Sequence, residues 1–422
     1  MLLLKGGTVY GKNTGPADVL IDGGKIIDVA HAISETEEMT VLDVSGLAVA
    51  PGLVDLHVHF REPGFEYKED IMTGAAAAAA GGVTTCLCMP NTSPVIDSAE
   101  TVNLVTGKAL NAPIRVLTAG AVTVGQKGAE LTDFNALKSA GAVALSDDGL
   151  PVQSAALMRK AMQHAKASGL TIISHCEDEE MVKNYGVNEG AVSEKLALQG
   201  RPAIAEEIMV ARDVMLANET GAHVHIAHVS TAGAVDIIRK ARQAGANVTA
   251  ETCPQYFSLT EDEVLRQGAL ARVNPPLRTG NDVEAIIAGL QDGTLDAIAT
   301  DHAPHSMEEK TKPLPDAMSG LVGLETSLAL ALTHLYHTGK FSLEKIIALM
   351  SANPAKIIGI DAGVLDTGAC ADIVIFDHNE EWTVDPEKFK SKGRNTPFGG
   401  QKLCGRIRYT ISRGEIVYKQ DK

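Results

Sequence analysis

The chain is 422 residues long, 45% hydrophobic and 21% charged, a composition that excludes wholesale disorder. Lysine and arginine total 37 against 53 acidic residues, and the net charge of −16 argues against nucleic acid or an anionic membrane as a partner. Six scattered cysteines without a CxxC exclude a disulfide framework, and 4% aromatics leave little for a sugar- or base-stacking surface.

In chain order, Met1-Leu-Leu-Leu-Lys5 is too short an apolar run for a signal-peptide core, so a soluble, cytoplasmic protein is expected. Residues 1–50 read as short strands broken by turns: LLLKGGTVY, DVLIDGGKIIDVA and TVLDVSGLAVA. From 51 to 360 the pattern changes to apolar, β-rich runs alternating with helices. Eight runs occur, at 54–60, 83–89, 114–120, 142–146, 170–175, 223–229, 247–252 and 296–300. Helical stretches separate them, among them 97–110, 154–169 and 232–245. The six-alanine run 75–80, closed by Gly81-Gly82, reads as a tightly packed helix. Eight βα units over roughly 310 residues fit one (β/α)8 TIM barrel, with further helices in 320–358. Residues 361–422 return to strand patterning in GVLDTGACADIVIFD and RIRYTISRGEIVYK, and DGGK (22–25) and SRGE (412–415) are hairpin signals. Neither end can bury a sheet face alone. The two ends are therefore expected to pair into a small β-sandwich domain that carries the barrel as an insert.

A barrel of this kind places its chemistry at the C-terminal ends of the strands. Run one ends in Asp55-Leu-His57-Val-His59-Phe-Arg61, and strand alternation puts Asp55, His57, His59 and Arg61 on one face, toward the mouth. Run four ends in Asp147-Asp148, run five in His175, run six in His228, and run eight in Asp301-His302-Ala-Pro-His305. A lone strand histidine is usually a hydrogen-bonded core residue, and His223 and His225 read so; His164, His334, His337 and His378 read as helix-surface or loop residues. Paired His57 and His59 are different, because two imidazoles side by side need a counter-charge or a metal. With Asp148, His175, His228 and Asp301 they form a nitrogen and oxygen donor set without thiolate, which suits Zn²⁺ with open positions. Six donors exceed the needs of one tetrahedral zinc and suit two that share a carboxylate, an arrangement for hydrolysis. Adjacent strand aspartates face opposite ways, so only one of Asp147 and Asp148 can bridge. The polar segment 306–318, with two prolines, is long enough for a lid and equally readable as an unstructured loop.

The runs DLHVHFRE (55–62), MPNT (89–92), SDDG (146–149), HCED (175–178), NPPLR (274–278) and ATDHAPHSMEEK (299–310) resemble dihydroorotase of the amidohydrolase superfamily, in its bacterial class I branch. The resemblance covers the whole chain. It implies zinc ligands at His57, His59, Asp148, His175, His228 and Asp301, with Asp148 bridging two ions. It also implies substrate contacts at His59, Arg61, Asn91, Asn274, His305, Ser319 and Gly320, and a general acid/base at Asp301. The family's usual Pro-Gly is Ser319-Gly320 here, which keeps the glycine but loosens the segment. The activity implied is the reversible interconversion of N-carbamoyl-L-aspartate and (S)-dihydroorotate in de novo pyrimidine synthesis. The resemblance further implies a homodimer and admits association with aspartate transcarbamoylase. Two alternatives stand beside it. An allantoinase or hydantoinase shares the barrel, but generally bridges its metals with a carboxylated lysine, and no strand end here carries one. A non-catalytic partner of aspartate transcarbamoylase would have lost metal ligands, and all six are present.

Overall fold

The computed structural model of the protein describes residues 1–12, 14–182 and 186–421. At the N-terminal end, β1 (Leu2–Val9), β2 (Gly15–Asp22), β3 (Lys25–Ala30), β4 (Thr40–Asp43) and β5 (Ala48–Pro51) follow the alternation of the sequence. The β2–β3 hairpin turns on Gly23 and Gly24, whose φ angles of 53° and 78° are those of a turn that matches the strand twist.

Eight parallel strands then follow in chain order: β6 (Leu53–Val58), β7 (Val83–Cys88), β8 (Arg115–Gly120), β9 (Ala144–Leu145), β10 (Thr171–Ser174), β11 (Val224–Ile226), β12 (Val248–Thr252) and β13 (Ala297–Ile298). Each pairs with its sequence neighbours, from β6 round to β13. The ring closes just beyond the strand ends, where Val58 bridges His302 and the His59 N–H donates to the His302 carbonyl at 2.8 Å. This is a (β/α)8 TIM barrel. Its first helix, Ile71–Ala80, is capped by Asp70 and buries Ala75, Ala77, Ala78 and Ala79. The small side chains are a packing requirement. A Cβ on Gly74 in this helix would stand 2.4 Å from the Phe60 ring.

After the barrel come β14 (Ile373–Thr383), β15 (Lys402–Ser412) and β16 (Glu415–Lys419). β14 pairs antiparallel with β5, so the two ends of the chain form one sheet in the order β16-β15-β14-β5-β1-β2-β3, branching at β1 to include β4. Its own core holds Leu4, Val19, Ile26, Val49, Ile373 and Ile411, none more than 2% exposed. Burying side chains of this size stabilises by about 1.5–3 kcal/mol each. One assignment is corrected. His378 lies within β14, where the register with β15 shifts between Asp377 and Glu381, and not on a helix or in a loop. Among the described residues no helix is long and apolar enough to cross a membrane.

Candidate active site and metal centre

Five strand ends supply the polar residues of the barrel mouth. β6 carries His57 and leads into His59; β9 leads into Asp148, β10 into His175, β11 into His228 and β13 into Asp301. The Asp148 carboxylate lies at their centre. Its Oδ1 is 3.3 Å from His57 Nε2, 3.3 Å from His175 Nδ1 and 3.5 Å from His228 Nε2, while its Oδ2 is 3.5 Å from His59 Nε2. Asp301 Oδ1 lies 3.1 Å from His59 Nε2 and 3.6 Å from His57 Nε2. Asp147 points elsewhere: it accepts the Val122 and Thr123 N–H groups at 2.8 and 3.2 Å and the Thr123 hydroxyl at 2.5 Å.

Four imidazoles and two carboxylates are packed together in this cluster. Burial alone would raise the Asp148 carboxyl, but the charge of His57 and the neighbouring His175 and His228 imidazoles overcome it and hold it well below the usual range. Burial likewise opposes protonation of His175, yet Asp148 and Glu177 push it up to about 10. His57 Nε2 is fully buried and has no hydrogen-bond partner. Ligand atoms of His57, Asp148 and His228, and of His57, His59 and Asp301, lie within 4.8 Å of one another. An orphaned imidazole nitrogen, facing carboxylates in a set without thiolate, fits a bound metal ion.

A cleft of about 330 Å³ opens above the cluster. His59, Arg61, Asn91, Asn274, His305 and the Ser319-Gly320 segment all line it, so every substrate contact inferred from the sequence is brought to one place. Arg61 donates to the Pro304 carbonyl at 3.2 Å and lies 3.3 Å from His305 Nε2. Asn91 ties two donors together, with Oδ1 2.9 Å from His59 Nδ1 and Nδ2 3.2 Å from Asp148 Oδ2. Gly320 has φ 134°, and a Cβ there would stand 2.7 Å from Ala303 and 3.2 Å from His305 Nε2, so the position is closed to side chains. The segment 306–318 forms a helical turn, Met307–Lys310, and returns along the cleft wall. Buried Lys310 holds it there, donating to the carbonyls of Arg272, Met318 and Gly320 at 3.2, 2.9 and 2.9 Å.

Sequence reasoning passed over several residues. Glu177, two residues after His175, pairs with Arg201 at 2.7 Å, and both touch Asn274. Glu251 lies 3.3 Å from His57 Nδ1 with no exposure at all. An acidic residue inside an apolar barrel strand was the available signal, since such a side chain is rarely buried without a partner.

A dihydro-orotase-like family model matches residues 46–234. The dihydroorotase of Citrifermentans bemidjiense is 49% identical over 422 residues, covering 99% of each chain. That of Clostridioides difficile is 49% identical over 421 residues, 99% of this chain and 100% of its own. Among solved structures, L-hydantoinase (dihydropyrimidinase) from Arthrobacter aurescens superposes with a TM-score of 0.89 at 26% identity, covering 100% of this chain and 96% of its own. Fold and relatives together define a hydrolase of cyclic amides. The chain belongs to the dihydroorotase family.

Proposed function

We propose that the protein interconverts N-carbamoyl-L-aspartate and (S)-dihydroorotate, with zinc held by His57, His59, Asp148, His175, His228 and Asp301. One observation carries this reading: five nitrogen and oxygen donors, with His175 3.3 Å from the Asp148 carboxylate, converge from five strand ends beside a cleft lined by Arg61 and His305. Bound zinc would supply Lewis acidity, polarising a carbonyl and lowering the pKa of water. The chain's own residues do the rest. Arg61 offers a planar fork to the substrate carboxylate, with Asn91 and His305 alongside. Asn274 and the bare backbone at Gly320 receive the ring and its amide. Asp301, at the edge of the cleft, takes the proton of the attacking water and hands it to the ring nitrogen as the C–N bond breaks. In the synthetic direction the same carboxylate removes the carbamoyl proton and delivers it to the departing oxygen.

Hydantoinases share the fold, but among the described residues no lysine lines the cleft to serve as their alternative bridging group. The same reading assigns residues 51–360 to the catalytic barrel and 1–50 with 361–422 to the β-domain, in a cytoplasmic homodimer open to association with aspartate transcarbamoylase. Parallel assays on carbamoyl aspartate, dihydroorotate, allantoin and hydantoin test the substrate. Turnover of the first two is expected, and preference for either of the others would overturn the assignment.

A further inference from the structure

The interior of a (β/α)8 barrel is ordinarily filled by branched apolar side chains. Here the wall formed by β10, β11 and β12 carries a polar ladder instead. Starting from the mouth, His57 Nδ1 is hydrogen-bonded to Glu251 Oε1 at 3.3 Å, while Glu251 Oε2 lies 3.2 Å from His225 Nε2, an ion-pair contact in which neither buried atom has a hydrogen-bond partner. His225 Nδ1 is 2.9 Å from the Thr249 hydroxyl, which is 2.9 Å from His223 Nε2. His223 Nδ1 is 3.0 Å from the Thr171 hydroxyl at the start of β10. His57, Glu251 and His225 are all wholly inaccessible.

One arrangement of protons runs through the ladder when the imidazoles are neutral. The Glu251 carboxylate turns one oxygen toward each imidazole and, as a carboxylate, is an acceptor at both. His57 then donates from Nδ1 and His225 carries its proton at Nε2. His225 Nδ1 must accept, so the Thr249 hydroxyl donates to it and accepts from His223 Nε2. His223 Nδ1 in turn accepts from Thr171. The ladder is polarised in one sense from the base of the barrel to the mouth, and it leaves the lone pair of His57 Nε2 aimed at Asp148 and Asp301.

We propose that Glu251, itself held by His225, is the positioning residue of the metal centre: it fixes the tautomer and ring orientation of His57 so that Nε2 is presented as a ligand. The inference rests on the metal-centre reading above. It differs from that reading in placing part of the metal affinity on residues that never touch the ion. Partners of this kind typically contribute 10–100-fold in metal affinity. A bulky apolar residue at either position would fill the space but leave a buried partner without its hydrogen bond.

The test is zinc titration of metal-stripped, full-length protein against a chromophoric chelator. Glu251→Gln and His225→Leu are each expected to bind zinc 10–100-fold more weakly, with the KM for dihydroorotate within about twofold of the parent. His225→Gln, whose amide can still donate to Glu251, should retain most of the affinity. Zinc affinity unchanged in both Glu251→Gln and His225→Leu overturns the inference. If Glu251→Gln does not fold, as judged by circular dichroism, the difference between His225→Gln and His225→Leu decides by the same readout. Histidine-labelled ¹⁵N spectra of the stripped parent give an independent reading, with His225 expected as the Nε2–H tautomer; Nδ1–H there overturns the ladder. A parent that binds no zinc sinks the metal-centre reading instead, and the two failures are thus distinct.

Discussion

Arg61, His228 and Asp301 hold φ angles of 61°, 36° and 49°, a left-handed conformation that side chains resist. Each such residue costs of order 1–3 kcal/mol, which the surrounding barrel must sustain. All three stand where the proposed chemistry needs them, and the backbone twist turns their side chains into the cleft. Asp301→Asn keeps the shape of the side chain and one ligand oxygen but removes the base. It is expected to fold and to lose about 10²–10⁴-fold in kcat, as measured alongside zinc content. Near-parental turnover would move the acid/base role to another group. Arg61 is more specific in what it recognises. Burial lowers its guanidinium to about 10, still charged at any working pH. Removing one side of a buried charge pair typically costs about 2–5 kcal/mol. Arg61→Met, which keeps the length of the side chain but removes its charge, should therefore lower kcat/KM for dihydroorotate by well over tenfold, while leaving the hydrolysis of an uncharged hydantoin, where measurable, untouched. Equal losses on both substrates would make Arg61 a structural residue.

The eight barrel strands were legible because apolar runs of strand length recur between helical stretches, and all eight appear in order. β9 and β13 shrink to two residues each, just before the segments that present Asp148 and Asp301. What a single sequence conceals is pairing between distant positions. Glu251 meets His57 across 194 residues, and Asn91 meets Asp148 across 57, so neither partnership leaves a local pattern. The joint between the barrel and the C-terminal segment is another such case. Glu325, just before the helix Ser327–Ala331, accepts the N–H groups of Lys390 and Ser391 at 2.8 and 3.1 Å. Burial, aided by Glu69, pushes its carboxyl up to about 7. A carboxyl raised in the fold but ordinary, at 4.5, in the unfolded chain binds more protons when folded. Its contribution to stability is thus present below about pH 4.5 and is lost as pH rises to about 7. Glu325→Gln retains an acceptor for both N–H groups without the charge. It should raise Tm at pH 8 and change it much less at pH 5; the opposite pattern in thermal melts would refute the assignment.

Because the six proposed donors come from five of the eight strands, a bound metal would tie the barrel mouth together, and zinc should raise Tm by mass action. The bridging group decides what the assembly requires. A bridge needs an anionic oxygen donor that reaches both ions, and two chemistries can supply it: an aspartate, or a lysine that has taken up CO2. Asp148 directs Oδ1 at His57, His175 and His228 and Oδ2 at His59, so its two oxygens face different members of the cluster. The Asp147 carboxylate is fully occupied by Val122 and Thr123, and no lysine among the described residues lines the cleft. Metal-stripped protein should therefore regain activity with Zn²⁺ in CO2-free buffer as completely as with bicarbonate. Asp148→Ala should lose both bound metal and the zinc-dependent rise in Tm. Asp147→Ala should keep metal but melt earlier, because burying unpaired N–H groups costs about 1–3 kcal/mol. A strict bicarbonate requirement, or loss of metal from the Asp147 variant rather than the Asp148 variant, would place the bridge on a different group.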